Sequence, residues 1–145
     1  LPGPAASARG VYAMRRSSSK AVVVVQGCAS GTVFVRDVLP RLDKEKVEVN
    51  AFYVASAELY ARLPRAERES VFPEELASRS MMVSDFTTPT FRRWVRTEAG
   101  MEASLHPLKT HGYLGSGKWE AVVREGGLDG DSQFEAVRAW AKTAA

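Results

Sequence analysis

The run Ala21-Val22-Val23-Val24-Val25 constrains this chain more than any other stretch: five consecutive apolar residues, four of them β-branched. A strand with no polar face must be covered on both sides, which predicts a sheet carrying helices on each face. The run breaks at Gln26-Gly27-Cys28-Ala29-Ser30-Gly31-Thr32, a turn of small residues. Beyond it, Val33, Phe34, Val38, Leu39 and Leu42 fall at helical spacing. Pro40 is expected to end that helix or distort its last turn. On the N-terminal side, "GVYAMRR" is a second strand-like run, and the polar link "RSSSK" is short enough to close a hairpin between the two.

The same reading extends along the chain. "VEVNAFYVAS" is an apolar strand, "AELYARLPRAERESVFP" is helical with proline breaks, and "RSMMVSDF" is a further strand. "TPTFRRWVRTEAG" suits a helix with Phe91, Trp94 and Val95 on one face and Gly100 as its stop signal. "EASLHPL" is a short strand cut by Pro107, and "SGKWEAVVREGGL" a helix that starts near Ser116 and ends at its glycines. Ser132 and Glu135 have the spacing of a capping box at the head of a last helix, which turns Phe134, Val137 and Ala141 inward. Alternation of this kind predicts an α/β fold: a three-layer α/β/α arrangement, mostly parallel, with one antiparallel edge strand supplied by the opening hairpin.

At 145 residues, with 45% hydrophobic and 26% charged residues, the chain has the make-up of one globular domain. The expected division is a linker over 1–9, rich in proline and small residues, and a domain over 10–145. "LPGPAASARG" lacks the charged and apolar regions of a secretory signal, and the linker composition suggests a piece of something larger. The net charge of +3 is scattered; Arg15/Arg16/Lys20 and Arg92/Arg93/Arg96 are the densest basic clusters, without the aromatic platform of a single-strand binder. Neither a nucleic-acid partner nor a membrane partner is expected, since no apolar run approaches the ~20 residues of a membrane helix. The single cysteine, Cys28, excludes an internal disulfide and fits a reducing, cytoplasmic setting.

Two regions carry candidate ligand chemistry. Gly27, Cys28, Ser30, Gly31 and Thr32 stand between a strand and a helix, where free N–H groups and the helix dipole favour an anion. Their G-x-x-x-G spacing is not the dinucleotide fingerprint, and "NAFYVAS" lacks the acid that would bind a ribose. The alternative is a tight turn with Ser30 or Thr32 capping the helix. Further on, Gly112, Gly117 and Lys118 match the spacing of a phosphate-binding P-loop, but Trp119 stands where magnesium chemistry needs Ser or Thr. His106, Lys109 and His111, with Lys118, make a second candidate for a phosphorylated ligand. The two histidines lie five apart, off the i, i+4 spacing of a helical chelate, and the acids of "LDGDSQFE" do not complete a calcium loop. No catalytic constellation and no metal site emerges.

Four stretches together resemble the C-terminal domain of transketolase: "QGCASGT" after its apolar strand; "VEVNAFYVASAELYARLP", with Ser56, Glu58, Leu59 and Tyr60 in matching places; "RESVFPEELASRSMMVSDF"; and "HGYLGSGKWEAVVREGGLDGDSQFEAV". The resemblance runs from Gly10 onward, and order and spacing carry it. The glutamate that often follows the first glycine–serine is absent, and His111-Gly112 replaces the phenylalanine–glycine turn. Decarboxylating components of 2-oxoacid dehydrogenases and phosphoketolases share this domain and remain alternatives. A free-standing module for a phosphorylated ligand is the reading from another class.

The resemblance implies a thiamine diphosphate enzyme of the pentose phosphate pathway that transfers two-carbon ketol units between sugar phosphates. Thiamine diphosphate and a divalent metal would be held by the two preceding domains across a homodimer interface. In such enzymes the metal-binding glycine–aspartate–glycine lies in the first domain, and "DGDS" reverses that order here. The implied role for this chain is structural: no cofactor bound, no catalytic residue, and inactive alone.

Overall fold

The computed structural model describes residues 1–110 and 112–143. Its centre is a four-stranded sheet of β1 (Val11–Arg15), β2 (Val22–Gln26), β3 (Asn50–Val54) and β4 (Ser80–Ser84), in the order β1-β3-β2-β4. β2 pairs in parallel with both β3 and β4, and β1 runs antiparallel along the outer side of β3. Leu105 adds one parallel bridge beside Val83.

β2 occupies the interior of the sheet because it has no face or edge to offer water. Val22 and Val24 point to one side, where they pack with Phe52, Tyr60, Phe72, Met82, Phe91 and Trp94. Val23 and Val25 point to the other, against Phe34, Val38, Leu42, Met81, Phe134 and Val137. The first layer comprises α3 (Ala57–Arg62), α4 (Arg65–Val71) and the 3-10 turns Glu74–Arg79 and Thr88–Phe91. The second is built from the helical run over 28–44 and from α7 (Gly130–Thr143). The result is the three-layer α/β arrangement with one antiparallel edge strand that the sequence predicts.

The opening hairpin does not form. β3 lies between β1 and β2, and the link between those two crosses the N-terminal end of β3. Asn50 holds the crossing: its Oδ1 accepts from Ser17 N–H at 3.0 Å and its Nδ2 donates to the Ser19 carbonyl at 2.7 Å. A hairpin would leave one edge of β2 to a short antiparallel strand. The observed order buries both edges in parallel pairing, as an all-apolar strand requires.

Other helical expectations also change. At Pro40 the helix is distorted and not ended: α1 (Cys28–Val33) passes into a π segment (Phe34–Val38) and continues as α2 (Leu39–Lys44). Proline has no N–H for the carbonyl four residues back, and the local widening to i→i+5 bonding absorbs the defect. Residues 88–100 do not form one helix. After the 3-10 turn at Thr88–Phe91, α5 (Glu98–Ala103) starts afresh with the Thr97 hydroxyl accepting from Gly100 N–H at 3.1 Å. Gly100 lies inside that helix, where an added Cβ would meet the Ser80 carbonyl oxygen at 2.2 Å, so close packing on β4 explains the glycine.

At the head of α7 the cap is Asp129, not Ser132. The Asp129 carboxylate accepts from the N–H groups of Asp131 and Ser132 and from the Ser132 hydroxyl. α6 (Trp119–Glu125) ends at Gly126 as expected, but its N-cap position is Lys118 with no side-chain cap. Residues 1–9 carry a 3-10 turn, Pro4–Arg9, that leads into β1. No helix among the described residues is long and apolar enough to cross a membrane.

Candidate functional site

Parallel α/β sheets present ligand sites at the C-terminal ends of their strands, where helix N-termini converge. Here that position is the turn from β2 into α1. Gly27 adopts φ +107°, a conformation that excludes a side chain in practice, and a Cβ there would lie 2.3 Å from the Asp85 carboxylate. The two N–H groups that open the helix point at the same carboxylate. Ala29 N–H donates to Asp85 Oδ2 and Ser30 N–H to Asp85 Oδ1, both at 2.9 Å, and the Ser30 hydroxyl also donates to Oδ1.

Asp85 reaches this position because it follows β4 immediately, and its own N–H donates to the Gln26 carbonyl at 3.1 Å. It makes the bonds of an N-cap side chain from 55 residues away. The anion that a glycine turn and helix dipole favour is therefore supplied by the protein itself. Ser30 and Gly31 are buried, while Cys28 and Thr32 are exposed. Cys28, Gly31 and Thr32 border a shallow cleft of about 430 Å³ shared with Tyr12 and Tyr53. Burial is the main influence raising the Tyr53 phenol above its ordinary value, and its hydroxyl donates to the Gly27 carbonyl at 3.3 Å.

The second candidate region disperses. The Lys109 ammonium donates to the carbonyls of Glu102 and Ser104, each at 2.7 Å, and so caps the C-terminus of α5. Burial lowers its pKa from the usual lysine value. The His106 ring sits edge-on to Phe91, with centroids 5.7 Å apart. Lys118 is exposed at the start of α6, and His111 lies outside the described residues. The glycine loop of the P-loop-like match is also held by an internal acid, because Gly115 N–H donates to both oxygens of Glu125 at 3.1 and 3.2 Å. Among the described residues, the stretch before it contributes the single bridge at Leu105, not the buried strand a P-loop requires.

The cleft between the helical run over 28–44 and α6–α7, about 310 Å³, is lined by charges of both signs. Arg41 spans it, pairing with Asp131 at 2.7 Å and with Glu45 at 3.1 Å while its guanidinium lies 3.8 Å from the Phe134 ring centroid. Among the described residues no group of three or more His, Cys, Asp or Glu is placed to hold a metal ion. The helix start at the first glycine turn is filled by a carboxylate, which would repel a diphosphate. The described residues do not fit thiamine diphosphate and its metal.

Sequence reasoning missed Asp85. The signal was available: an acid directly after the strand-like run "SMMVS", at the strand end that a parallel sheet places beside the first glycine turn. It also missed Gln133, fully buried, whose Nε2 donates to the Leu128 carbonyl at 2.7 Å, and Trp140, whose indole N–H donates to the Val22 carbonyl at 3.1 Å.

The layers, the mixed sheet and the antiparallel edge strand define a three-layer α/β domain of the transketolase C-terminal-like fold. Transketolase from Leishmania mexicana superposes with a TM-score of 0.70 over 97% of this chain and 19% of that one, at 16% identity. Transketolase from Campylobacter jejuni gives 0.65 over 96% and 20%, at 13% identity. The Pichia stipitis enzyme in complex with sedoheptulose-7-phosphate gives 0.62 over 96% and 19%, at 12% identity. This chain thus spans about a fifth of the length of the solved structures it matches. No family model matches the sequence. No curated protein matches it either.

Proposed function

We propose that this chain is the C-terminal domain of a transketolase-like thiamine diphosphate enzyme, and that its part in that enzyme is structural. The observation that carries the reading is the coverage: the likeness to transketolase takes in 97% of this chain but 19% of the other. In the parent protein the reaction would be two-carbon ketol transfer between sugar phosphates, in the cytoplasm and in a homodimer. Thiamine diphosphate and the divalent metal would belong to the preceding domains, with residues 1–9 as the connection. Gly27, Cys28, Ser30, Gly31 and Thr32 then serve as a self-capped turn. His106, Lys109 and Lys118 have no catalytic duty in this reading, nor has His111, which lies outside the described residues. The Asp85 plug and the absence of a fit to a diphosphate support this reading.

The test is the transcript upstream of the codon for Leu1, followed by calorimetry on the chain itself. Several hundred further codons that include a glycine–aspartate–glycine with a downstream asparagine are expected. The 145-residue chain should give no heat with thiamine diphosphate and magnesium. A coding sequence without that signature, or saturable cofactor binding by the isolated chain, overturns the proposal.

A further inference from the structure

Four arginines line a pocket that contains no residue of either candidate region. Arg65 and Arg68 come from α4, one turn apart, and Arg93 and Arg96 come from the segment after the 3-10 turn at Thr88–Phe91. The pocket encloses about 210 Å³, with Tyr60 and Phe72 among its lining residues. Like charges at i, i+3 repel on a helix surface, as Arg65 and Arg68 do on α4, and Arg93 and Arg96 from the facing segment add two more charges of the same sign.

The local acids do not balance them. Glu74 is paired with Arg96 at 2.6 Å, and that contact holds its carboxyl below the usual range. Glu69 lends one oxygen to the Glu74 N–H at 3.1 Å. Two carboxylates against four guanidiniums leave two positive charges uncompensated in the lining.

The guanidinium of Arg68 is also fixed in advance. Its Nη1 donates to the Leu63 carbonyl at 2.6 Å and to the Ala61 carbonyl at 3.3 Å, which pins it at the end of α3. Arg93 lies with its guanidinium carbon 5.6 Å from the Tyr60 ring centroid. Planar, permanently charged donors, part of them held by carbonyls and an aromatic face, are the arrangement that selects phosphate oxygens.

We propose that this pocket binds the phosphate group of a small phosphorylated metabolite, with Arg65 and Arg93 as the principal contacts and Arg68 as a preset third donor. The two uncompensated charges match a phosphate monoester dianion. The volume leaves room for a body of a few carbons beside it. The inference does not depend on the parent enzyme: it concerns a surface of this chain.

The test uses the full 145-residue chain, titrated with inorganic phosphate and with glycerol 3-phosphate at constant ionic strength in chloride, and followed by amide chemical shifts. Saturable shifts confined to residues 60–74 and 92–97 are expected, with the ester binding at least as tightly as free phosphate. The double variant Arg65→Gln/Arg93→Gln should weaken binding at least tenfold. A control, Arg36→Gln/Arg124→Gln, removes two charges from the opposite cleft and should leave the dissociation constant within twofold of wild type. Equal weakening by both variants overturns the proposal, as does a response centred on residues 27–32 or no saturable response. A short phosphoserine peptide that binds tenfold more tightly than glycerol 3-phosphate overturns the small-molecule assignment. Because all four substituted residues are exposed, melting temperatures near wild type are expected and would exclude unfolding as the cause.

Discussion

Replacing Asp85 by alanine removes the acceptor of two backbone N–H groups and one hydroxyl at the start of α1. Bonds to a charged acceptor at a helix N-terminus are worth about 1–3 kcal/mol together. Urea denaturation of Asp85→Ala should show a loss of that size. Gly27→Ala should cost at least as much, because the new methyl collides with the carboxylate and the φ of +107° is closed to alanine. Dissolved phosphate is not expected to displace Asp85 in the native protein. A tethered group acts at a local concentration of roughly millimolar or more even on a flexible linker, and this one is fixed to a strand. The turn was legible in the sequence as glycines between a strand and a helix. Its filling was not, because the partner stands 55 residues away and only the pairing of β2 with β4 brings it alongside.

Among the elements, the all-apolar β2 was legible in kind and position, since four consecutive valines leave a strand nowhere to go but the middle of a covered sheet. Its neighbours were not. Local sequence favoured a hairpin, whereas β1 pairs with β3 and the polar side chain of Asn50 holds the crossing link. The final helix was legible from its apolar face, whereas its cap was assigned three residues late because a serine–glutamate pair imitates a capping box. Burial works to raise the Asp129 pKa, but hydrogen bonds from the Ser132 hydroxyl and from nearby N–H groups outweigh it and leave the value lowered. A carboxyl lowered in the folded state contributes stability above the ordinary aspartate range, and that contribution is lost as pH falls through the folded value. Asp129→Asn should therefore flatten the fall in stability between about pH 5 and pH 2, as read by urea titrations across that range. In α5, Gly100→Ala drives a methyl against the Ser80 carbonyl and should cost about 1–3 kcal/mol, with the melting temperature as the readout.

At the scale of the whole molecule, β1 closes one side of the sheet, and its removal uncovers β3. A chain lacking residues 1–15 should lose its monomer peak in size-exclusion chromatography at micromolar concentration. An unpaired, largely buried strand edge invites pairing with another molecule. The layered architecture was legible because alternating strands and helices have few other ways to pack; the strand order was not, because it depends on contacts across the chain. That order also sets a timetable during synthesis. β2 leaves the ribosome about 24 residues ahead of β3, which at ~5–20 residues per second is a delay of roughly 1–5 s. Through that interval Val22–Val25 is a nascent apolar segment with neither of its neighbours yet made, and β4 emerges later still. The same order that hides β2 in the finished domain makes it the last strand to be enclosed on both edges, and so the segment for which a chaperone or an adjacent nascent chain has the longest opportunity.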